Sequence, residues 1–274
     1  MKLFSNLFVV FVAAWSSQVV AQSSRVREPT GKWLVEYGLD QCLLSRAYGT
    51  DAKPLTVTFE RLPMMQKVGL FVLKNSKKQE MEGGPIDVGS EEGHRASSRF
   101  TAYTIPTRDM RIIHTELSED VLSGIGRTQR VDIRASGELD ERFAVPGVVA
   151  ALRALDDCTL DLGRAWGFTI EQQKAMRRAA EPIAKLGSHF SSDDYPSSAL
   201  KNGEMGRAKV RISVDVKGSP TACTLTRPSG SKTLDEVTCR KLMKYAKFRP
   251  AIGHDGRPMP SIYLTSVSWL LASY

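Results

Sequence analysis

Several things are scarce in this chain of 274 residues, and each scarcity excludes something. After the first 21 residues no stretch approaches 18 apolar residues, so no helix there is long enough to cross a bilayer, and that part is expected to be soluble. Histidine is rare: His94, His114, His189 and His254 fall in no metal-ligand spacing. The four cysteines form no C-x-x-C pair, which argues against zinc. There is no G-x-S-x-G elbow, P-loop or glycine-rich phosphate cradle. Glu91-Glu92 and Asp156-Asp157 are neighbours in sequence, and such pairs seldom converge on one site. No catalytic residue, cofactor site or metal site is therefore expected. Internal repeats and low-complexity runs are also missing.

What is present begins with a targeting pattern. Met1-Lys2 supplies a small positive region, Leu3 to Trp15 an apolar core, and Val19-Val20-Ala21 a small-residue end suited to cleavage after Ala21. Residues 1–21 are read as a signal peptide and the rest as a periplasmic protein. The alternative is an uncleaved inner-membrane anchor facing the periplasm. Export disfavours nucleic acid as a partner.

Export also changes how Cys42, Cys158, Cys223 and Cys239 read, since an oxidising compartment pairs thiols. Three pairings are possible. Locality favours Cys223–Cys239 and Cys42–Cys158, each loop adding about 3 to 5 kcal/mol in the chain-entropy model. Buried free thiols are the alternative.

Charge divides the chain. Residues 195–274 carry 13 Lys and Arg against 5 Asp and Glu, whereas residues 22–168 carry 20 against 21. The basic surplus favours an acidic partner, such as a receptor's inner face, a polyanionic glycan or a lipid head group. A solvated charged face accounts for most of the individual residues.

Hydrophobic periodicity divides the chain at the same place. Gln22 to Thr30 reads as a mobile polar arm. Strand-like runs follow at Leu55–Phe59, Val68–Leu73, Arg99–Thr104, Met110–Thr115 and Arg130–Ala135, with polar breaks at Gly49–Lys53, Asn75–Gly84 and Gly89–Ser98. Gly147 to Cys158 has helical spacing. Residues 23–168 are expected to form a β-rich domain with a packing helix. Residues 169–193 read as a linker: Thr169-x-x-Gln172 is a capping box, and Pro182 interrupts the helix it starts.

Residues 194–274 are the most patterned. Ala208, Val210, Ile212, Val214 and Val216 alternate with Arg207, Lys209, Arg211, Ser213 and Asp215, a half-buried strand. Lys217-Gly218 is a turn, Ala222 to Leu225 a second strand, and Ser229-Gly230 a break. Thr233 to Ala246 reads as a helix, in which Lys241 falls inside the apolar arc and must snorkel. Asp255-Gly256 is a turn, and Pro258 and Pro260 are expected to keep the approach to the last strand, Ser261 to Leu270, free of sheet pairing. The predicted class is α+β.

This last segment resembles the C-terminal domain of the TonB energy-transducer family. The resemblance rests on Tyr195-Pro196, Ala199, Gly206, the alternating strand to Gly218, Cys223, Ser229-Gly230, Leu234-Asp235, Cys239, Phe248-Arg249-Pro250-Ala251, Gly256, Pro258, Tyr263 and Trp269. It implies a small antiparallel sheet plus helix, whose final strand recruits a segment near the N-terminus of an outer-membrane TonB-dependent receptor. Carried onto this sequence, that strand is Ser261, Ile262, Tyr263, Leu264, Thr265, Ser266, Val267, Ser268 and Trp269, with Arg249 and Arg257 as basic contacts for acidic receptor residues. A transducer also has an anchor with a functional histidine, for coupling to inner-membrane motor proteins, and a long proline-rich segment. Residues 3–21 contain no histidine, and the 13 prolines are scattered. The expected function is non-catalytic receptor binding in TonB-dependent transmembrane transport. The alternatives are a periplasmic scaffold for peptidoglycan or another acidic envelope polymer, and an enzyme seated in the N-terminal domain.

Overall fold

The computed structural model describes residues 25–90 and 95–271, so the expectations for the targeting segment and Ala21 lie outside the described residues. The architecture is α+β. The first unit contains ten strands: β1 (Val26–Arg27), β2 (Leu34–Tyr37), β3 (Cys42–Thr50), β4 (Lys53–Arg61), β5 (Val68–Asn75), β6 (Glu82–Gly89), β7 (Arg95–Ile105), β8 (Met110–Leu117), β9 (Arg130–Ala135) and β10 (Leu139–Ala144). Two helices accompany them, α1 (Glu119–Thr128) and α2 (Val148–Ala165). The strand order is β1-β10-β9-β6-β7-β8-β5-β4-β3-β2, antiparallel except for β1 beside β10.

One short segment draws the two ends of this sheet together. Val26 and Arg27 pair with Arg142 and Phe143 of β10. Pro29 then bridges to Tyr48 of β3, and the Thr30 N–H donates to the Ala47 carbonyl at 3.0 Å. The Tyr48 hydroxyl closes the seam by donating to the Ala144 carbonyl at 2.8 Å. The stretch expected as a mobile arm is thus ordered from Val26 onward, with the Arg27 Nε donating to Glu141 at 2.7 Å. Inward side chains at every second position, among them Leu44, Val57, Phe59, Leu70, Val72, Val131 and Ile133, form the core with Val121, Leu122 and Ile125 of α1 and Val148 and Leu155 of α2. Cys42 and Cys158 are joined, with sulfurs 1.97 Å apart, fastening β3 to α2.

Other features differ from the sequence expectation, among them β2, β3, β6 and β10, which the strand-like runs did not include. Helix α2 runs past Cys158 to Ala165, because Leu162 continues its apolar stripe onto the core. The breaks at 75–84 and 89–98 are shorter, since Gly83 and Gly84 are strand residues that make room for Phe100: a Cβ on Gly84 would lie 3.1 Å from its ring. Helix α1 was not expected; Val121, Leu122 and Ile125 provide its one buried face.

The second unit begins inside the expected linker. Helix α3 (Ile170–Ala175) starts on the Thr169 capping box, with the Gln172 N–H donating to the Thr169 hydroxyl at 3.1 Å, and ends before Pro182 is reached. The chain then forms β11 (Met176–Arg178) and β12 (Glu181–Pro182), followed by α4 (Ser197–Lys201), β13 (Gly206–Val214), β14 (Pro220–Arg227), α5 (Lys232–Tyr245), β15 (Phe248–Arg249), β16 (Ala251–Gly253), β17 (Pro258–Met259) and β18 (Ser261–Trp269). β11 pairs with β16 and β12 with β15, so residues 176–182 are woven into this unit.

The main sheet here has the order β14-β13-β18, with α5 across one face. Strand β13 stops at Val214, and Val216 is exposed. The Asp215 carboxylate accepts from the N–H groups of Lys217 (2.9 Å) and Ser219 (2.8 Å), which bends the chain into a turn before Val216 can pair. Gly218 adopts φ 79° there, and a Cβ on it would lie 1.9 Å from the Phe248 carbonyl oxygen. Pro258 does not stay unpaired as expected: β17 pairs with β16 across the Gly256 turn, and a proline is tolerated on such an edge.

The two units touch. Lys209 of β13 reaches Asp40 at 2.7 Å and Gln41 at 3.0 Å, and the Arg211 guanidinium lies 4.7 Å from the ring centre of Trp166.

Candidate functional site: the open edge of the small sheet

β18 is hydrogen-bonded along all nine residues to β13, from Gly206↔Trp269 to Val214↔Ser261. Among the described residues no strand lies on its other side. The period-two alternation that makes β13 a strand places its partners on the same two faces. Tyr263, Thr265, Val267 and Trp269 lie opposite Ile212, Val210, Ala208 and Gly206, on the side that carries α5. Ile262, Leu264, Ser266 and Ser268 lie opposite Ser213, Arg211, Lys209 and Arg207.

The two ends of β18 are held differently. At its C-terminal end Trp269 is buried against Ala199, Leu234 and Val237, with the rings of Phe190 and Tyr195 edge-on at 5.8 and 5.3 Å. Its indole N–H donates to the Thr238 hydroxyl at 2.9 Å, and Thr238 donates onward to the Leu234 carbonyl at 2.8 Å. Opposite it, Gly206 admits no side chain: a Cβ would lie 2.0 Å from the Ser229 carbonyl oxygen. At the N-terminal end Ile262 is buried and Tyr263 leans on Phe248, ring centres 5.3 Å apart. Burial, with Glu116 of β8 adding to it, raises the Tyr263 phenol above its usual range, so the group stays neutral.

Between these anchors the strand is half-exposed from Tyr263 to Val267. Every second residue of an edge strand turns its N–H and C=O outward, where nothing in the sheet satisfies them. Chemically, the site offers a template for one more strand, framed by Arg207, which donates to the Ser266 hydroxyl at 2.7 Å.

The sequence-derived contacts fall out unevenly. Arg249 sits on β15, within 3.9 Å of Glu181, and Arg257 in the β16–β17 turn, 4.0 Å from Asp255, so neither is on β18. Arg207 and Lys209 are beside it, and the signal for them was their place on the polar face of β13. Lys241 does not merely snorkel: it pairs with Asp194 at 2.7 Å over the Tyr245 ring, and that bond, with a backbone contact from Ser191, holds the Asp194 carboxyl below its ordinary range. His114 stacks on Phe71 at 4.4 Å, and burial lowers its pKa. Among the described residues no cluster of three His, Cys, Asp or Glu could hold a metal ion, and no helix is long and apolar enough to cross a membrane.

The geometry is thus a small antiparallel sheet, backed by one helix, whose final strand has no neighbouring strand on its outer side among the described residues. Residues 191–271 match the family model described as Gram-negative bacterial TonB protein C-terminal, which spans less than a third of the chain. No curated protein matches the chain. The matched domain is a non-catalytic one that links this part of the chain to TonB-dependent transport, and proteins of that family are associated with the Gram-negative cell envelope.

Proposed function

We propose that this is an exported, non-catalytic periplasmic protein whose residues 194–274 bind an extended segment near the N-terminus of an outer-membrane TonB-dependent receptor. The observation that carries the reading is the one-sided pairing of β18 over nine residues. An added strand gains main-chain hydrogen bonds worth about 0.5 to 1.5 kcal/mol each, enough for a modest, reversible affinity. The surplus of 13 Lys and Arg over 5 Asp and Glu in residues 195–274 steers acidic segments toward it and makes binding fall with salt. Residues 23–168 form a separate domain in this scheme. Coupling to inner-membrane motor proteins requires that residues 1–21 persist as an anchor.

The test is a fluorescence-anisotropy titration of the chain from residue 22 onward with receptor N-terminal peptides carrying N-methyl groups on alternate amides. One methylation register abolishes binding and the other leaves it within about threefold. Peptides indifferent to register, or no binding at millimolar concentration, contradict the reading.

One observation favours a second reading, an envelope scaffold. The exposed Tyr245 ring carries Lys241 and Lys244 ammonium groups at 4.8 and 5.0 Å and stacks with His189 at 6.2 Å, an arrangement suited to an anionic glycan such as peptidoglycan. Salt-sensitive cosedimentation with sacculi that is lost in Tyr245→Ala supports it, and cosedimentation unchanged by that substitution counts against it.

A further inference from the structure

The two disulfides sit in unlike surroundings. Cys42 and Cys158 are 1% and 0% exposed, sealed between β3 and α2 within the larger core. Cys223 and Cys239, with sulfurs 1.99 Å apart, are half-exposed and link β14 to α5. They line a surface groove of about 540 Å³ with Leu225, Pro228, Gly230, Lys232 and Glu236. Strand β14 is the second open edge of the small sheet, and most of its residues face solvent. A thiolate must approach a disulfide sulfur from outside, so access decides which bond exchanges first.

The contacts around the bond show what survives its opening. Helix α5 is held to the sheet by Leu234, Val237 and Leu242, all buried in clusters with Val210, Ile212, Val214 and Trp269. Ser231 caps the helix by accepting from the Leu234 N–H at 3.3 Å, and Asp235 accepts from the Ser229 N–H at 2.9 Å. None of these contacts passes through sulfur. The β13–β14 ladder, from Lys209↔Arg227 to Val214↔Pro220, is likewise independent of the bond.

We propose that Cys223–Cys239 is a thiol–disulfide exchange site that opens in the folded protein, its partner being a dithiol protein of the envelope. A thiolate of the dithiol attacks one of the two sulfurs, forms a mixed disulfide and expels the other cysteine as a thiolate, which takes up a proton. The partner's second thiol then attacks the mixed disulfide, becoming part of an intramolecular disulfide and releasing the first cysteine as a thiol. The dithiol loses two electrons and two protons, and Cys223 and Cys239 gain them. The apolar rim of Leu225 and Pro228 suits a protein surface rather than a small polar thiol. Opening removes the covalent link between β14 and α5 and leaves β13, β18 and the receptor edge in register.

The experiment takes the chain from residue 22 onward under native conditions through graded ratios of reduced to oxidised dithiothreitol, with acid quench, alkylation and peptide mass spectrometry. The expected result is alkylation of Cys223 and Cys239 at least tenfold faster than of Cys42 and Cys158, with an unchanged circular-dichroism spectrum. Reduction of both pairs together, reduction of Cys42–Cys158 first, or reduction only as the spectrum collapses overturns it. A trap then tests the partner class: a thioredoxin-type protein lacking its resolving cysteine should form a mixed disulfide with the wild-type chain and none with the Cys223→Ser/Cys239→Ser variant. Failure to trap the wild-type chain while dithiothreitol opens the bond overturns the protein-dithiol assignment.

Discussion

The two sheets of this molecule solve the problem of their edges in opposite ways. The ten-stranded sheet closes through residues 26–30, which hydrogen-bond to β10 on one side and β3 on the other. Among the described residues, the three-stranded sheet leaves β14 and β18 without a strand on their outer sides. Closure leaves the larger sheet with one short outer edge, the four residues of β2, while each open edge of the small sheet keeps a longer row of donors and acceptors. The staples follow the same division. The Cys42–Cys158 bond spans a sequence separation of 116 and ties distant parts of the closed unit, whereas Cys223–Cys239 spans 16 and ties neighbours in the open one. The unit whose sheet closes thus carries the long-range staple, and the unit with open edges the short-range one.

The largest expected effect tests that division of the staples. Replacing Cys42 and Cys158 by serine costs about 5 kcal/mol in the chain-entropy model, and replacing Cys223 and Cys239 about 3. Urea unfolding of the two double variants should give midpoints in that order, and the reverse order would break the comparison.

Next comes the polar centre of the closed unit. Arg111, fully buried, donates through Nε to both carboxylate oxygens of Glu138 at 2.9 and 3.0 Å and through Nη1 to the Glu80 carbonyl at 2.8 Å. Arg111→Met leaves Glu138 without its main partner and costs about 3 to 5 kcal/mol, read as loss of the closed unit's unfolding transition.

A pH dependence attaches to the same pair. Burial works against the Glu138 charge, but the hydrogen bonds from Arg111 and the nearby Lys74 outweigh it and hold the carboxyl down at about 2, against an ordinary 4.5. A depressed carboxyl contributes stability that is fully present above its unfolded value and lost as pH falls through its folded one. The stability gap between wild type and Glu138→Gln should therefore narrow between pH 4.5 and about 2. A gap that stays constant over that window, measured by urea denaturation, would show that the charge does not stabilise the fold.

The smallest effect belongs to the open unit. Thr238→Val strips the buried Trp269 indole N–H of its acceptor and costs about 1 to 3 kcal/mol. Amide exchange near residue 269 should quicken, with no change around Arg111.

Much of the small unit was legible because its alternation is clean. Val210 and Ile212 point inward and Arg207 and Lys209 outward, as period two requires, and both sit where the pattern put them. The exception, Val216, was lost to a turn made by the Asp215 side chain, a contact that periodicity does not see. The larger unit was harder for a similar reason. Arg111 occupies an inward position of β8 between hydrophobic neighbours, and only its register, in step with Ile113 and Leu117, marks it as interior. The closure of the sheet was illegible, because Val26, Arg27, Pro29 and Thr30 carry no strand signal and are ordered by distant partners. Arg249 and Arg257 lie on β15 and in the β16–β17 turn, beside Glu181 and Asp255, partners that come from other segments or turns and that strand periodicity does not show.

The measurement closest to the central claim is amide hydrogen exchange across the whole chain, with and without a receptor N-terminal peptide. Strand addition predicts slowed exchange at alternate residues between 261 and 269, with β2 and β14 unchanged. Protection confined to β14, or an exchange pattern along β18 that the peptide leaves untouched at saturating concentration, would contradict the account.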